Sequence, residues 1–279
     1  MTQRVWLGTS VFLLALVTHL NSLGGDFHYD DLHSIVENYH VRSLAEIPGY
    51  FADPATFSSE PSMAMYRPVV LTTYALAYAL AGYLAWPYIL FNMVVHGVVA
   101  VLVYLLISAK LGRLMPAWWA GALFAVHPVH TQVVNYISSR SESLAILGVF
   151  AALYWLGQGR SARGMAAYIL ALLSKSIALV CPPLLFLWAE KKPPPRVWVP
   201  LAALSGLYLV LISANQFLTR SLAQDLRSHG VQLYTQIKAL VYYLYLIVVP
   251  ARLSIEHPLD ESESIAEGPV LFAALLILS

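Results

Sequence analysis

The stretch YILFNMVVHGVVAVLVYLLISA, from Tyr88 to Ala109, contains no aspartate, glutamate, lysine or arginine. A helix needs about 20 predominantly apolar residues to cross the hydrocarbon core of a bilayer, and this stretch is long enough. The composition of the whole chain also indicates a membrane protein. Of its residues, 59% are hydrophobic and 11% are charged, whereas a soluble domain has about 25% charged residues. The sequence therefore predicts a membrane protein built around this helix.

Further apolar segments flank this stretch on both sides. Several are too short to cross a bilayer alone, and one is interrupted by polar residues, which membrane proteins tolerate where a helix lines a cavity. We predict an all-α polytopic membrane protein with seven to nine apolar segments in one transmembrane domain over residues 1–279, and we expect the natural chain to continue beyond Ser279. The further segments are Val5 to Leu23, Val69 to Leu84, Pro116 to Val126, Leu144 to Leu156, Met165 to Trp188, Val197 to Phe217, Leu233 to Val249 and Val270 to Leu278.

Basic residues in the short connections predict the orientation, because cytoplasmic loops are enriched in lysine and arginine. The long loop from Gly24 to Tyr66 is then extracytoplasmic. Arg67 and Lys110 fall on opposite sides although two apolar segments separate them, so we expect the segment from Val69 to lie along the membrane or to re-enter it. The residues placed on the cytoplasmic side are Met1 to Arg4, Lys110, Arg113, Arg160, Arg163, Lys191, Lys192 and Arg196.

The first polar motif is FHYDD at positions 27–31, directly after the first apolar segment. Neighbouring carboxylates at a membrane surface suit a general base, or a metal site completed by His28 or His33. Asp30 and Asp31 do not share one side-chain direction on regular structure, so we expect one of them to face the site. The alternative is that one of them caps a helix from Leu32 to Asn38.

The second motif is Tyr66-Arg67-Pro68 at the start of an apolar helix, where Pro68 suits the first helical position. The planar guanidinium of Arg67 is able to hold a phosphate through two hydrogen bonds, and Tyr66 is expected to line the same site. A lone arginine that reaches the membrane interface is the alternative interpretation.

The third motif, HPVHTQ at 127–132, precedes Arg140-Ser141-Glu142. His127 and His130 have a spacing that zinc ligands use, but no third ligand is evident nearby, so we predict no metal and expect the two histidines to line the site. Arg140 and Glu142 are either a phosphate ligand with its orienting partner or an ion pair that orders the loop.

The fourth motif, Ser174-Lys175-Ser176, places a lysine inside an otherwise apolar run. Ionisable residues at membrane depth are costly and usually functional, and the alternative here is a salt bridge to Glu142 or Asp31. The fifth motif combines Arg252 with Glu256-His257-Pro258, and His257 is a further candidate for lining the site.

Together these motifs predict a carboxylate beside several cations on one membrane face, which suits a lipid phosphate-sugar donor and a hydroxyl acceptor. A transporter or flippase of a lipid-linked or anionic substrate is a second hypothesis, and a non-catalytic membrane scaffold is a third. The net charge of +1 gives no reason to propose nucleic-acid binding.

In this order the motifs resemble those of the transmembrane and tetratricopeptide-repeat (TMTC) O-mannosyltransferases, from about Phe27 to Pro258. The resemblance implies a GT-C glycosyltransferase fold, a polyprenyl or dolichyl phosphate-mannose donor, and inverting transfer to protein Ser/Thr hydroxyls. It also implies a site on the extracytoplasmic face of the membrane. This is the lumenal face of the endoplasmic reticulum in a eukaryote and the periplasmic face of the inner membrane in a bacterium. Asp30 or Asp31 is then the base, Arg67, Arg140 and Lys175 lie beside the donor phosphate, and no cofactor is required, with a divalent cation left open.

Two positions depart from the family pattern. Gln132 and Ser176 stand where the family usually has an acid, so negative charge is missing near the expected site. The helical repeats of the family are not visible within these residues, so the acceptor has no support from this sequence.

Overall fold

A computed structural model describes residues 2–189, 192–214, 228–251, 253–255, 257 and 259–278. Its regular structure in these ranges is entirely helical. The chain divides into two units, Met1–Phe217 and Leu218–Ser279. Within the described residues, four helical stretches are long and apolar enough to cross a membrane, namely Thr2–Gly24, Ala85–Leu111, Pro195–Ala214 and His229–Val248. The prediction of an all-α polytopic membrane protein is confirmed.

The first unit contains ten α-helices and several single-turn helices within its described residues. The quoted stretch lies inside α4, and α3 begins at Pro68 as predicted. The helices are α1 (Thr2–Thr18), α2 (Ile47–Ala52), α3 (Pro68–Ala81), α4 (Ala85–Leu111), α5 (Leu114–Val126), α6 (Thr131–Asn135), α7 (Arg140–Gly157), α8 (Ser161–Leu172), α9 (Cys181–Trp188) and α10 (Pro195–Ala214).

Helix α4 is the centre of this unit. Helices α1 and α5 run antiparallel to α4, whereas α7 runs parallel to it, since Arg140 at the start of α7 contacts Asn92 near the start of α4. Tyr104 near the end of α4 donates a hydrogen bond to the carbonyl of Arg4 (3.2 Å) at the start of α1. At the other end, His96 lies 3.1 Å from the carbonyl of Ala125 in α5. These contacts define a basic end, where Arg4 and Lys110 lie, and a loop end, where the segment between α1 and α3 lies.

Both termini of α3 lie at the loop end. The backbone N–H of Val69 donates to the carbonyl of Leu173 (3.3 Å), which follows α8. After α3 ends, Tyr88 at the start of α4 donates to the carbonyl of Gly82 (3.1 Å). Helix α3 therefore does not run from one end of the unit to the other. Between Arg67 and Lys110, only α4 runs from the loop end to the basic end. Both predicted alternatives, a segment that lies along the membrane and one that re-enters it, have their two ends on one side, and the choice between them stays a prediction.

Helices α3, α4 and α7 meet at the guanidinium of Arg140, which is completely buried. Its Nε donates to Asn92 Oδ1 (2.9 Å), and its Nη1 and Nη2 donate to Thr73 Oγ1 (3.1 Å) and the carbonyl of Tyr88 (2.8 Å). The guanidinium also lies 4.5 Å from the centre of the Phe91 ring. The expectation that Arg140 binds the donor phosphate does not fit this placement, because protein groups surround the side chain and nothing of it is exposed.

The second unit contains α11 (His229–Val248) and α12 (Gly268–Leu278) within its described residues. Lys238 in α11 donates to the carbonyl of Asp260 (2.6 Å) and to Ser262 Oγ (3.0 Å), in the connection to α12. These bonds hold part of the connection against α11.

Small residues allow α7 and α8 to approach closely, as is common between helices in membranes. A Cβ atom added to Gly148 would lie 2.7 Å from the carbonyl oxygen of Ala167 and 2.7 Å from the Cβ of Ala171. Gly157, at the end of the same helix α7, has nothing within 4 Å of such an atom. The two glycines therefore form a matched pair, one with packing constraints and one without.

We expect Gly148→Ala to lower the free energy of unfolding by about 1–3 kcal/mol, because overpacking forces the two helix backbones apart. Gly157→Ala should leave it unchanged or raise it by up to about 1 kcal/mol, since alanine favours helix. Thermal unfolding of both variants in detergent, followed by intrinsic fluorescence, measures the difference. Equal melting temperatures for the two variants would show that α7 and α8 do not pack as described.

Replacing Arg140 by lysine should destabilise the protein by at least about 2 kcal/mol, because an ammonium cannot reach Asn92, Thr73 and Tyr88 together. The exposed Arg113 provides the control, and Arg113→Lys should leave the melting temperature unchanged. If Arg140→Lys instead keeps the melting temperature and weakens only the binding of a lipid phosphate-sugar, Arg140 is a ligand residue after all.

Candidate functional site

Asp31 is completely buried at the loop end and uses both carboxylate oxygens. Its Oδ1 accepts from the backbone N–H (2.8 Å) and the hydroxyl (2.5 Å) of Ser138, and its Oδ2 accepts from the N–H of His28 (3.0 Å). Burial raises the pKa of the Asp31 carboxyl above its ordinary value, while the hydrogen bonds from Ser138 and His28 lower it. Asp31 thus connects the start of the loop between α1 and α3 to the segment that precedes α7.

Asp30 points the other way, and 65% of its side chain is exposed. Its Oδ1 lies 3.5 Å from Nε2 of His33, whose Nδ1 lies 2.9 Å from Ser58 Oγ. The preceding Tyr29 has a φ of 50°, a left-handed conformation that is unusual for a residue other than glycine. Directly after Tyr29, Asp30 is exposed while its neighbour Asp31 is buried. The expectation that only one of them faces a site stays a prediction.

The helix-capping alternative is wrong in its detail. Asp31 precedes a short π-helical turn, Leu32–Val36, but its carboxylate makes no capping hydrogen bond to that turn. The metal alternative with His28 or His33 has no geometric support either, because within the described residues no group of three or more potential ligands is arranged to hold a metal ion.

A hydrogen-bond network extends from Asp31 along the start of α7, and we call it the loop-end network. Ser141 Oγ lies 3.2 Å from the carbonyl of Ser138, donates to Glu142 Oε2 (2.7 Å) and accepts from Arg67 Nη1 (3.1 Å). The members of the loop-end network are Asp31, Ser138, Ser141, Arg67, Glu142 and Lys175. It joins residues of four of the predicted motifs.

Lys175 enters this network through an ion pair with Glu142 Oε1. It sits where the apolar run breaks, between α8 and the turn that begins at Ser176, as the sequence predicted. The salt-bridge alternative for Lys175 is therefore observed, with Glu142 as the partner. The proposed ion pair between Arg140 and Glu142 is wrong, because Glu142 binds Lys175 instead. The Lys175 side chain remains 25% exposed.

Arg67 and Tyr66 line a narrow cleft at this end of the unit. The Arg67 guanidinium lies 5.3 Å from the centre of the Phe57 ring and is partly exposed. The Tyr66 hydroxyl donates to the carbonyl of Phe51 (3.1 Å), which fixes its ring beside the first loop. The other residues lining the cleft are Met65, Ser176, Tyr208 and Ile212. Cationic and apolar groups thus meet in one cleft.

His127 and His130 belong to a separate aromatic cluster at the loop end. The ring of His130 lies 4.2 Å from Phe124 and 5.1 Å from His96, between centroids, and His96 lies 5.1 Å from His19. The rings of His127 and His130 are 6.1 Å apart. Burial, together with the neighbouring histidines, lowers the pKa of His130 to about 3. His130 is therefore neutral at physiological pH and does not supply a cation.

The fifth motif falls partly outside the described residues, which exclude Arg252, Glu256 and Pro258. His257 lies in the second unit, where its Nδ1 is 3.0 Å from the Tyr242 hydroxyl. Its expected place in the site stays a prediction.

The sequence interpretation assigned no role to Asn92 or Ser138, and it quoted Ser141 only as part of the third motif. The Asn92 amide binds Arg140 and lies 3.3 Å from the carbonyl of Tyr136, so it holds the segment before α7. An asparagine inside the apolar stretch of α4 was a usable signal, since polar residues at membrane depth are rarely without a role. The two serines had no comparable signal, because serine is common in polar stretches of sequence.

Known proteins resemble this chain in sequence. A protein O-mannosyl-transferase of Caenorhabditis elegans is 34% identical over 180 residues, covering 61% of this chain and 26% of that protein. The Xenopus laevis protein O-mannosyl-transferase tmtc2 is 35% identical over 134 residues, or 46% of this chain and 16% of the relative. The human protein O-mannosyl-transferase TMTC2 is 27% identical over 236 residues, or 82% of this chain and 27% of the relative.

No family model and no solved structure matches the chain. The chain spans only 16% to 27% of the length of the three relatives. The resemblance to the TMTC O-mannosyltransferases that the motifs predicted is nevertheless confirmed, and the chain is TMTC-like in the part of those proteins that it matches.

Proposed function

We propose that this chain is the membrane module of a glycosyltransferase that moves a sugar from a polyprenyl or dolichyl phosphate to a hydroxyl acceptor. One observation carries the proposal: an exposed carboxylate, Asp30, directly precedes Asp31 of the loop-end network, which also contains the partly exposed cations Arg67 and Lys175. Mannose is the best choice of sugar, and a protein Ser/Thr hydroxyl the best acceptor, because the relatives are named protein O-mannosyl-transferases.

Asp30 is the better candidate for the base of the two aspartates. A general base must reach the proton that it removes, and the Asp30 carboxylate is mostly exposed. Asp31 has neither access nor a free oxygen, because Ser138 and His28 occupy both of its carboxylate oxygens. The pair divides into one reactive and one structural carboxylate.

Arg67 and Lys175 are the candidates for binding the donor phosphate. A guanidinium has five N–H donors and an ammonium has three, of which Ser141 occupies one on Arg67 and Glu142 one on Lys175. Both side chains therefore retain donors for a phosphate. Glu142 and Ser141 act as positioning residues, because each holds one of the two cations in place.

In the proposed reaction the Asp30 carboxylate takes the proton of the acceptor hydroxyl. The acceptor oxygen bonds to the anomeric carbon of the sugar while the bond from that carbon to the phosphate oxygen breaks. The bonding electrons leave with the lipid phosphate, whose negative charge Arg67 and Lys175 stabilise. Attack from the side opposite the phosphate inverts the anomeric centre, and the chemistry requires no metal ion.

The cleft beside Arg67 supports a donor that joins a phosphate to a lipid. Its cation comes from Arg67, and Tyr208 and Ile212 of α10 add apolar surface directly beside it. The orientation predicted from the basic connections places this end on the extracytoplasmic face, which is the lumenal side in the endoplasmic reticulum or the periplasmic side in a bacterial inner membrane.

Asp30→Asn should reduce sugar transfer by about 100-fold or more, since a general base typically contributes a factor of 10²–10⁴, and it should leave the melting temperature unchanged. The matched variant Asp31→Asn should lower the melting temperature, because its amide nitrogen would face a hydrogen-bond donor where Asp31 accepts now. The measurement combines thermal unfolding with transfer and hydrolysis of radiolabelled dolichyl phosphate-mannose by the purified protein, using a Ser/Thr-rich peptide as acceptor.

Two further conditions make the assay decisive. Turnover should be insensitive to EDTA, and loss of turnover in EDTA that added Mg²⁺ restores would contradict the metal-free mechanism. If Asp31→Asn abolishes turnover in a fully folded protein while Asp30→Asn is active, the assignment of the base is wrong.

If the wild type binds the donor but neither hydrolyses nor transfers the sugar, the transferase proposal fails. Measuring the transport of labelled lipid between vesicle leaflets then distinguishes a flippase from a non-catalytic scaffold.

A further inference from the structure

The basic end of the first unit contains an apolar groove that the proposed reaction does not use. It lies between α4, α7 and α9 and has a volume of about 260 Å³. Its wall consists entirely of apolar side chains: Val103, Leu106, Ile107, Phe150, Leu153, Leu184, Leu187 and Trp188. A hydrocarbon chain suits such a groove, because it would leave no polar side chain of the wall without a hydrogen-bond partner.

The groove continues into a second cavity of about 470 Å³, whose lining is partly polar. The two cavities share Leu106, Leu153 and Trp188, so they form one continuous depression. Lys110 and Lys192 are exposed and lie in the wall of this second cavity. The depression is therefore apolar along one part and cationic at its mouth.

Lys110 is held at this mouth by Trp188. Its Nζ donates to the Trp188 carbonyl (3.0 Å) and lies 5.6 Å from the centre of the indole ring. An ammonium has three donors, so this bond leaves two for a ligand. Trp188 lines both cavities, and tryptophan commonly lies at the level of lipid headgroups. The position of the tryptophan agrees with a headgroup at the mouth and a lipid chain in the groove.

The sequence around the mouth is strongly basic. The connections at 110–113, 158–163 and 190–196 contain seven lysines and arginines and a single acid, Glu190. Glu190 and Lys191 lie outside the described residues. An excess of positive charge beside a bilayer attracts anionic lipids, and the predicted cytoplasmic location of this end is the leaflet that carries them.

We propose that this depression binds an acidic glycerophospholipid, with one acyl chain in the groove and the phosphate beside Lys110 and Lys192. The site lies at the opposite end of the unit from the loop-end network. It therefore stands independently of the proposed transferase activity, and the protein is able to have one without the other.

The test is the binding of palmitoyl-oleoyl phosphatidylglycerol, with palmitoyl-oleoyl phosphatidylcholine for comparison, to the purified protein by native mass spectrometry and by lipid-dependent thermal stabilisation. We expect the wild type to bind the acidic lipid more tightly. The double variant Lys110→Gln/Lys192→Gln should weaken this binding by about fivefold per lysine, which corresponds to the attraction of one basic residue for an anionic membrane surface.

Arg160→Gln/Arg163→Gln is the matched control, because it also removes two exposed cations from the basic end, at positions outside both cavities. This control should retain the preference for the acidic lipid. Leu184→Trp should fill the groove and weaken binding of both lipids. Glycerol 3-phosphate, which carries the phosphate without acyl chains, should not stabilise the protein.

Three results would overturn the proposal. The first is an equal loss of binding in the two double variants, which would indicate a general electrostatic effect. The second is stabilisation by glycerol 3-phosphate as strong as that by the lipid, which would indicate a site for a soluble phosphate. The third is unchanged lipid binding by Leu184→Trp in a folded protein, which would exclude the groove.

Discussion

The buried guanidinium of Arg140 is the contact on which the loop end of the protein depends. Burying a charge is costly unless the group is paired or hydrogen-bonded. Here the guanidinium donates hydrogen bonds to neutral oxygens of α3 and α4 and lies against three aromatic rings. These partners belong to α3 and α4, which are distant in sequence from Arg140. The hydrogen bonds of Arg140 therefore hold α3 at the loop end and place the start of α7 beside the loop between α1 and α3.

The start of α7 then arranges the candidate site. Ser138 donates a hydrogen bond to the buried Asp31, and Ser141 is hydrogen-bonded to both Arg67 and Glu142. Two serines of one short segment thus contact residues of three separate motifs. The left-handed Tyr29 precedes the point where the two aspartates separate. A strained residue of this kind costs roughly 1–3 kcal/mol and persists only where the surroundings enforce it, and the hydrogen bonds of Asp31 provide that enforcement.

Much of the helical framework was predictable, because apolar length and charge report directly on membrane helices. The start of α3 at Pro68 and the break around Lys175 followed from single residues, and the positions of Arg67 and Lys110 agree with the location of both ends of α3 at the loop end. The roles of the individual charges did not follow. Sequence identifies an arginine or an aspartate near the site, but burial depends on partners such as Asn92 and Ser138 that come from remote segments, so Arg140 and Asp31 looked like ligand and base.

Exposure and remaining hydrogen-bond capacity separate the structural charges from those available for chemistry. Arg140 and Asp31 are completely buried and bound to protein groups, so a substrate would have to break the fold to reach them. Asp30 and Lys175 belong to the same region but keep 65% and 25% of their side chains exposed. A group that exchanges partners during a reaction needs both access and an unused donor or acceptor. Asp30 directly precedes the buried Asp31 in the chain, and Lys175 is held by Glu142, so each of these exposed charges has a fixed position and still retains access to solvent.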